Sequence, residues 1–264
     1  MTGLVAGRTA LVSGAAGRLG RAICTTLLAE GAKVAFVDLE EARAQEARRA
    51  IAGNRLETCA IGGDVSDETA VASMVGQAQE AIGLPDLLVT AHGIFPNQPL
   101  VDMTVAEWDR VFAVNVRGPM LLARELARLW IDRGIAGGIV NITSGAARSA
   151  RAGGSHYASS KAALNMVTEV LAIELGPHGI RVNAVAPGLI LDDVVTAEDA
   201  DRHGYVNDML RATPLRRTGA PSDIADTVAF LASERSGWTT GAVVEITGGS
   251  HCGRPHVPLT RDLR

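Results

Sequence analysis

Short apolar runs alternate along the chain with longer stretches whose apolar positions recur every three or four residues. This is the pattern of buried strands separated by amphipathic helices. The runs fall at residues 9–13, 34–38, 58–61, 86–90, 139–142, 180–186 and 243–246. Ile23, Leu27 and Leu28 mark a first helix, and Ser66 stands where a cap would open a second over 67–82. Thr104-Val105-Ala106-Glu107 reads as a capping box leading into a helix through Trp108 and Val111, and Asn115 is placed where that helix ends. Residues 120–131 are apolar on more than one face and require cover on two sides. Helical spacing returns over 158–175 and 223–233. The alternation predicts an α/β fold, a single doubly wound parallel sheet with helices on both faces.

Composition removes several function classes. A chain of 264 residues, 47% of them hydrophobic, builds one substantial core and fits one domain. Its net charge is −4, its basic residues are scattered and its aromatics make up 3%, so no nucleic-acid partner is expected. Cys24, Cys59 and Cys252 form no Cys-x-x-Cys pair, which predicts reduced thiols in a cytoplasmic protein, two in the core and one on a tail. The apolar runs fall short of the ~18 residues that span a bilayer, and the first six residues are too short and polar for a signal peptide. A soluble protein without a membrane partner follows.

Two stretches carry candidate chemistry. The first strand runs into Gly14-Ala15-Ala16-Gly17-Arg18-Leu19-Gly20 and a helix follows, so backbone N–H groups and a helix N-terminus can receive a pyrophosphate. Asp38 ends the second strand, where a carboxylate accepts hydrogen bonds from ribose hydroxyls and repels a 2′-phosphate. That favours NAD over NADP, with Arg18 as the feature that keeps NADP possible. A second use for Asp38 is to cap the helix from Glu40 onward. The other stretch runs from Asn141-Ile142-Thr143-Ser144 to His156-Tyr157-Ala158-Ser159-Ser160-Lys161. Tyr157 and Lys161 share a helix face, and an ammonium beside a phenol lowers a pKa of ~10 toward the working range of a general acid/base. Lys33 and Lys161 are the chain's lysines among 25 basic residues, so this cation is not a random surface choice. Ser144 is placed to hold a substrate oxygen beside the phenol. Arg148, Arg151 and His156 lie in the loop ahead of Tyr157, either solvated or facing an anionic substrate.

From residue 8 to 249 the sequence resembles the short-chain dehydrogenase/reductase family, whose active site is a Ser, a Tyr and a Lys in this order, joined by an upstream Asn. The resemblance implies a Rossmann-type domain of about seven strands over 1–249, followed by a tail over 250–264. It implies an oxidoreductase that moves a hydride between NAD, or NADP, and a secondary alcohol or ketone. Asn115, Ser144, Tyr157 and Lys161 would be catalytic: Tyr157 transfers the proton, Ser144 positions the oxygen, Lys161 holds the nicotinamide ribose, and Asn115 holds a water linked to Lys161. Gly14, Gly17, Arg18, Leu19, Gly20, Asp38, Asp64, Val65, Gly93, Pro187, Gly188 and Ile190 would line the cofactor, with Tyr157 and Lys161. Asp64 and Val65 would meet the adenine, and Ile190 backbone groups the nicotinamide, since Asp192 and Asp193 stand where the family often has a Thr.

The sequence departs from the family at Ala91-His92-Gly93, where Asn-Asn-Ala-Gly is usual. His92 reads either as a proton relay near the nicotinamide or as a histidine satisfied within the fold. The family also implies a mobile lid over 189–213 and a homotetramer or homodimer formed through residues 120–131 and the helix of Tyr157. A rival reading keeps the fold as a non-catalytic dinucleotide-binding regulator. No metal site is expected, although His251, Cys252 and His256 crowd the tail.

Overall fold

A computed structural model describes residues 3–198 and 204–253. The strands are β1 Thr9–Ser13, β2 Lys33–Asp38, β3 Thr58–Gly62, β4 Leu87–Thr90, β5 Gly138–Ile142, β6 Arg181–Pro187 and β7 Val243–Ile246. They form one parallel sheet in the order β3-β2-β1-β4-β5-β6-β7. The helices are α1 Arg18–Ala29, α2 Glu41–Ala52, α3 Glu68–Ile82, α4 Val105–Phe112, α5 Gly118–Arg133, α6 Ser155–Leu175, α7 Gly204–Arg211 and α8 Pro221–Ala232. Strands buried on both faces must be apolar throughout, which is why these runs do not alternate. On one face Ile23, Leu27, Phe36 and Val228 pack α1 and α8 onto the sheet. On the other, Leu11, Met74, Leu122 and Trp130 pack α3 and α5. Each such side chain contributes roughly 1.5–3 kcal/mol on burial.

The strand order reverses between β1 and β4, so the connections leave those two strands toward opposite faces. A crevice opens there beyond the carboxyl ends of the strands, the place where ligands bind in open α/β sheets. Polar groups secure its floor. Thr90 Oγ1 donates to Asn141 Oδ1 at 2.7 Å, and Asn141 Nδ2 donates to Thr168 Oγ1 at 3.0 Å, joining β4, β5 and α6. Thr90 thus ties the end of β4 to β5 through its side chain.

Several local expectations change. Asp67, not Ser66, caps α3, accepting from the Ala70 N–H, while Ser66 bonds Asp64. Thr104 accepts from the Glu107 N–H as expected, but the Glu107 carboxylate turns to Arg110 and lies below the usual carboxylate range because of that bond. Asn115 does not end a helix. Residues Ala113–Arg117 form a wide π turn that joins α4 to α5. The apolar residues Leu121, Leu122, Leu126 and Trp130 of α5 are covered within the chain. The exposed apolar stripe lies instead on α6, at Met166, Val170 and Ile173. Cys24 is buried, Cys59 only half-buried and Cys252 exposed. Within the lid expected over 189–213, residues 189–198 form no helix or strand and are held by two isolated bridges, Ile190 to Gly219 and Thr196 to Arg217, whereas α7 is a regular helix that buries Leu210. Among the described residues no helix is long and apolar enough to cross a membrane.

Candidate active site

The turn after β1 is built from backbone. Gly14 has φ +73°, and a side chain on Gly20 would place a carbon 2.1 Å from the Gly14 carbonyl oxygen. The turn therefore packs directly on the start of α1, whose N-cap is Gly17. Asp38 is buried at the end of β2 and its carboxylate accepts from Ala16 N–H at 3.0 Å and Leu39 N–H at 3.0 Å. It does not cap α2, whose N-cap is Glu40. Arg43, on the first turns of α2, sits 3.8 Å from the Asp38 carboxylate with its guanidinium largely exposed. Arg18 is directed elsewhere: it donates to the Ile190 carbonyl at 2.9 Å and pairs with Asp192 at 3.1 Å. It ties the glycine turn to the loop after β6. Asp64 is exposed and Val65 buried, both at the carboxyl end of β3. Gly188 passes close under Thr247, where a side-chain carbon would lie 2.9 Å from the Thr247 Cα. Its N–H continues the pairing of β6 with β7 by donating to the Ile246 carbonyl.

The turn after β4 is built from side chains. Asn115 is fully buried in the π turn; its Oδ1 accepts from Ile94 N–H at 2.9 Å, and its Nδ2 donates to the Ile94 carbonyl at 2.9 Å and to Ser160 Oγ at 3.0 Å. Ser160 in turn donates to the Tyr157 carbonyl at 2.7 Å. Gly93 lies over this group, since a side-chain carbon there would sit 3.3 Å from both Asn115 Oδ1 and Lys161 Nζ.

Ser144 follows β5 and accepts from Ala146 N–H at 3.1 Å, leaving its hydroxyl hydrogen for another acceptor. Its hydroxyl faces the Tyr157 phenol, and Phe95 packs edge-on to that ring with centroids 6.2 Å apart. Lys161, one turn along α6, is buried and donates to the Ile142 carbonyl at 2.9 Å. Burial pushes the Lys161 ammonium down to about 8. The phenol moves the opposite way from the expectation: burial raises its pKa, and the Ser144 hydroxyl and the Arg151 charge oppose the rise without reversing it. Desolvation of the phenolate outweighs those two groups.

The structure thus gathers Asn115, Ser144, Tyr157, Lys161 and Gly93 on one side of the crevice and Gly14, Gly17, Gly20 and Asp38 on the other. Arg18 and Ile190 are joined to each other rather than aimed at the centre. Arg151 is drawn to α7, donating to Tyr205 Oη at 2.9 Å, and Arg148 lies 3.6 Å from Glu245. His156 is buried beneath them. Sequence reasoning missed Ile94, Phe95 and Ser160. Ser160 carried a usable signal, since it lies on the same buried stripe of α6 as Tyr157, Lys161 and Leu164. His251 bonds Thr247 at 2.7 Å, His256 lies outside the described residues, and no metal cluster occurs among the described residues.

A glycine turn, a strand-end carboxylate and a phenol–hydroxyl–ammonium cluster across one crevice define a dinucleotide-dependent oxidoreductase. A family model described as enoyl-(acyl carrier protein) reductase matches residues 14–251. The human (3R)-3-hydroxyacyl-CoA dehydrogenase is 38% identical, the match covering 91% of this chain and 94% of that protein. Human L-xylulose reductase is 36% identical, with 93% and 97% covered. A short-chain type dehydrogenase/reductase structure from Mycobacterium marinum superimposes with a TM-score of 0.85 at 31% identity, over 94% of this chain and 97% of that one. The chain belongs to the short-chain dehydrogenase/reductase family. It is an NAD(P)-dependent oxidoreductase of secondary alcohols and ketones.

Proposed function

We propose that the chain exchanges a hydride between NAD and a secondary alcohol through Tyr157, Ser144, Lys161 and Asn115. The observation that carries this reading is the Tyr157 phenol facing the Ser144 hydroxyl at the end of β5, one helical turn from the Lys161 ammonium. Ser144 donates to the substrate oxygen and orients it toward the phenol. In oxidation Tyr157 takes the hydroxyl proton; in reduction it returns one. The buried ammonium of Lys161, with no carboxylate paired to it among the described residues, favours the phenolate once the proton moves. Asn115 keeps Ile94 and Ser160 fixed around that pair. The dinucleotide supplies the hydride acceptor or donor.

The chain's own residues fit such a cofactor. The close packing at Gly14, Gly17 and Gly20 leaves backbone N–H groups for a pyrophosphate, with Leu19 on α1 beside them. Asp38 meets the adenosine ribose, Asp64 and Val65 the adenine, and Pro187 and Gly188 pass under the nicotinamide. NADP is the second reading, and Arg43 rather than Arg18 favours it, because its exposed guanidinium lies beside Asp38. We take residues 1–249 as the catalytic domain and 250–264 as a tail. A cytoplasmic homotetramer or homodimer is supported by free cysteines and by the exposed stripe of Met166, Val170 and Ile173.

The test is NADH or NADPH formation by the purified protein across hydroxyacyl thioesters, hydroxy acids, sugars, polyols, cyclic alcohols and hydroxysteroids. A substrate oxidised with NAD at least about tenfold more efficiently than with NADP supports the reading. Preference for NADP would transfer the role to Arg43. Binding of NADH with no turnover on any alcohol would favour a regulatory protein.

A further inference from the structure

His92 touches three segments at once. Its Nδ1 lies 2.6 Å from Ser13 Oγ at the end of β1, and its Nε2 lies 3.2 Å from the Val114 carbonyl in the π turn. A side-chain carbon on Gly14 would fall 2.6 Å from the His92 Cα, and one on Gly118 would fall 3.0 Å from Nε2. Both glycines therefore admit the residue. The Val114 carbonyl has a specific need for the imidazole. In the wide turn the Gly118 N–H is spent on Ala113, five residues back. The next donor in that register would be residue 119, a proline without an N–H. The helix orphans the Val114 oxygen, and the neutral tautomer of His92 with its proton on Nε2 satisfies it while accepting from Ser13. Burial, and then the Lys161 charge, push the imidazole down to about 3. Both ring nitrogens are thus engaged by the fold, Nδ1 by Ser13 and Nε2 by Val114.

We propose that His92 is a positioning residue: it supplies the hydrogen bond that Pro119 withholds from Val114, and so holds the π turn in the register that presents Asn115 to Ile94 and Ser160. Its importance for turnover rests on the reading of Asn115 and Tyr157 as the reaction centre. The test compares His92→Ala, His92→Gln, Pro119→Ala and the double variant His92→Ala/Pro119→Ala. Amide hydrogen exchange at Ile94 needs neither substrate nor cofactor. It is expected to speed up at least about tenfold in His92→Ala, and to return to within roughly threefold of wild type in the double variant, where residue 119 regains an N–H. His92→Gln, which keeps a donor at the far end, should also stay within that range. The kcat follows the same order, with KM for NAD unchanged and the pH profile of kcat/KM unshifted in His92→Gln. Unchanged Ile94 exchange in His92→Ala overturns the proposal, and so does a double variant as impaired as the single one. If His92→Ala fails to fold, a folded and active double variant supports the proposal and an unfolded one overturns it. Absence of dehydrogenase activity in the wild type sinks the functional reading and leaves the exchange result standing.

Discussion

The turns after β1 and β4, which pack against each other where Gly14 meets His92, solve the same problem by different means. After β1 the chain makes room with backbone: Gly14 takes a positive φ, Gly20 lets α1 press against the turn, and Asp38 fastens it through the Ala16 N–H. After β4 the chain uses side chains: Thr90 holds Asn141, His92 holds Val114, and Asn115 holds Ile94. A backbone-built turn tolerates almost no added atom, because nothing in it can rotate away. A turn built from side chains fails bond by bond, and a suitable second substitution can repair it.

Gly20→Ala should give the largest effect. A methyl group 2.1 Å from the Gly14 carbonyl cannot be accommodated without moving α1. Stability should fall by about 1–3 kcal/mol in denaturant unfolding, and NADH titration should show binding lost. Near-normal binding would mean that this turn is as pliant as the other.

The side-chain half also carries a cost that varies with pH. The Lys161 ammonium titrates at about 8 in the folded chain instead of its usual 10.5. Between those values the unfolded chain binds the extra proton, so stability rises with pH across that window and the full cost is present below pH 8. The rise is on the order of 1 kcal/mol up to about pH 9, above which the raised thiols of Cys24 and Cys59, and then the raised Tyr157 phenol, work against it. Unfolding followed from pH 7 to 9 should show the increase in wild type and lose it in Lys161→Met. A flat wild-type curve would place the ammonium in water rather than in the core.

Thr90→Val gives the smallest effect on function, since it acts on stability alone. It leaves the buried Asn141 Oδ1 without its 2.7 Å donor and should cost about 1–3 kcal/mol, read as a lower Tm with unaltered cofactor binding. A loss of cofactor affinity of similar size would show that the two turns are coupled.

The same contrast explains what was legible in the sequence. Glycines forced by backbone geometry announce themselves, and so does the spacing of Tyr157 and Lys161 on one helix face; the doubly wound parallel sheet and the first turn follow from such local patterns. Asn115 was recognised, but its setting was not, because a π turn depends on Pro119 and on a histidine from another strand, neither of which has a local signature. The contacts of Arg18 with Ile190 and Asp192 are not legible because those partners are far away in the chain. The direction of the Tyr157 shift is not legible because spacing places Lys161 one turn away but reveals neither the burial that raises the phenol nor that the opposing charge comes from Arg151. Ser66 was preferred to Asp67 as a cap since either residue type suits that role.

The central claim is that the Tyr157 phenol moves the proton. It is tested most directly by comparing wild type and Tyr157→Phe in NAD reduction with a turned-over alcohol, alongside NADH binding by fluorescence titration. In Tyr157→Phe, kcat is expected to fall by about 10²–10⁴-fold while the NADH dissociation constant changes less than roughly threefold. A variant that keeps wild-type kcat would contradict it.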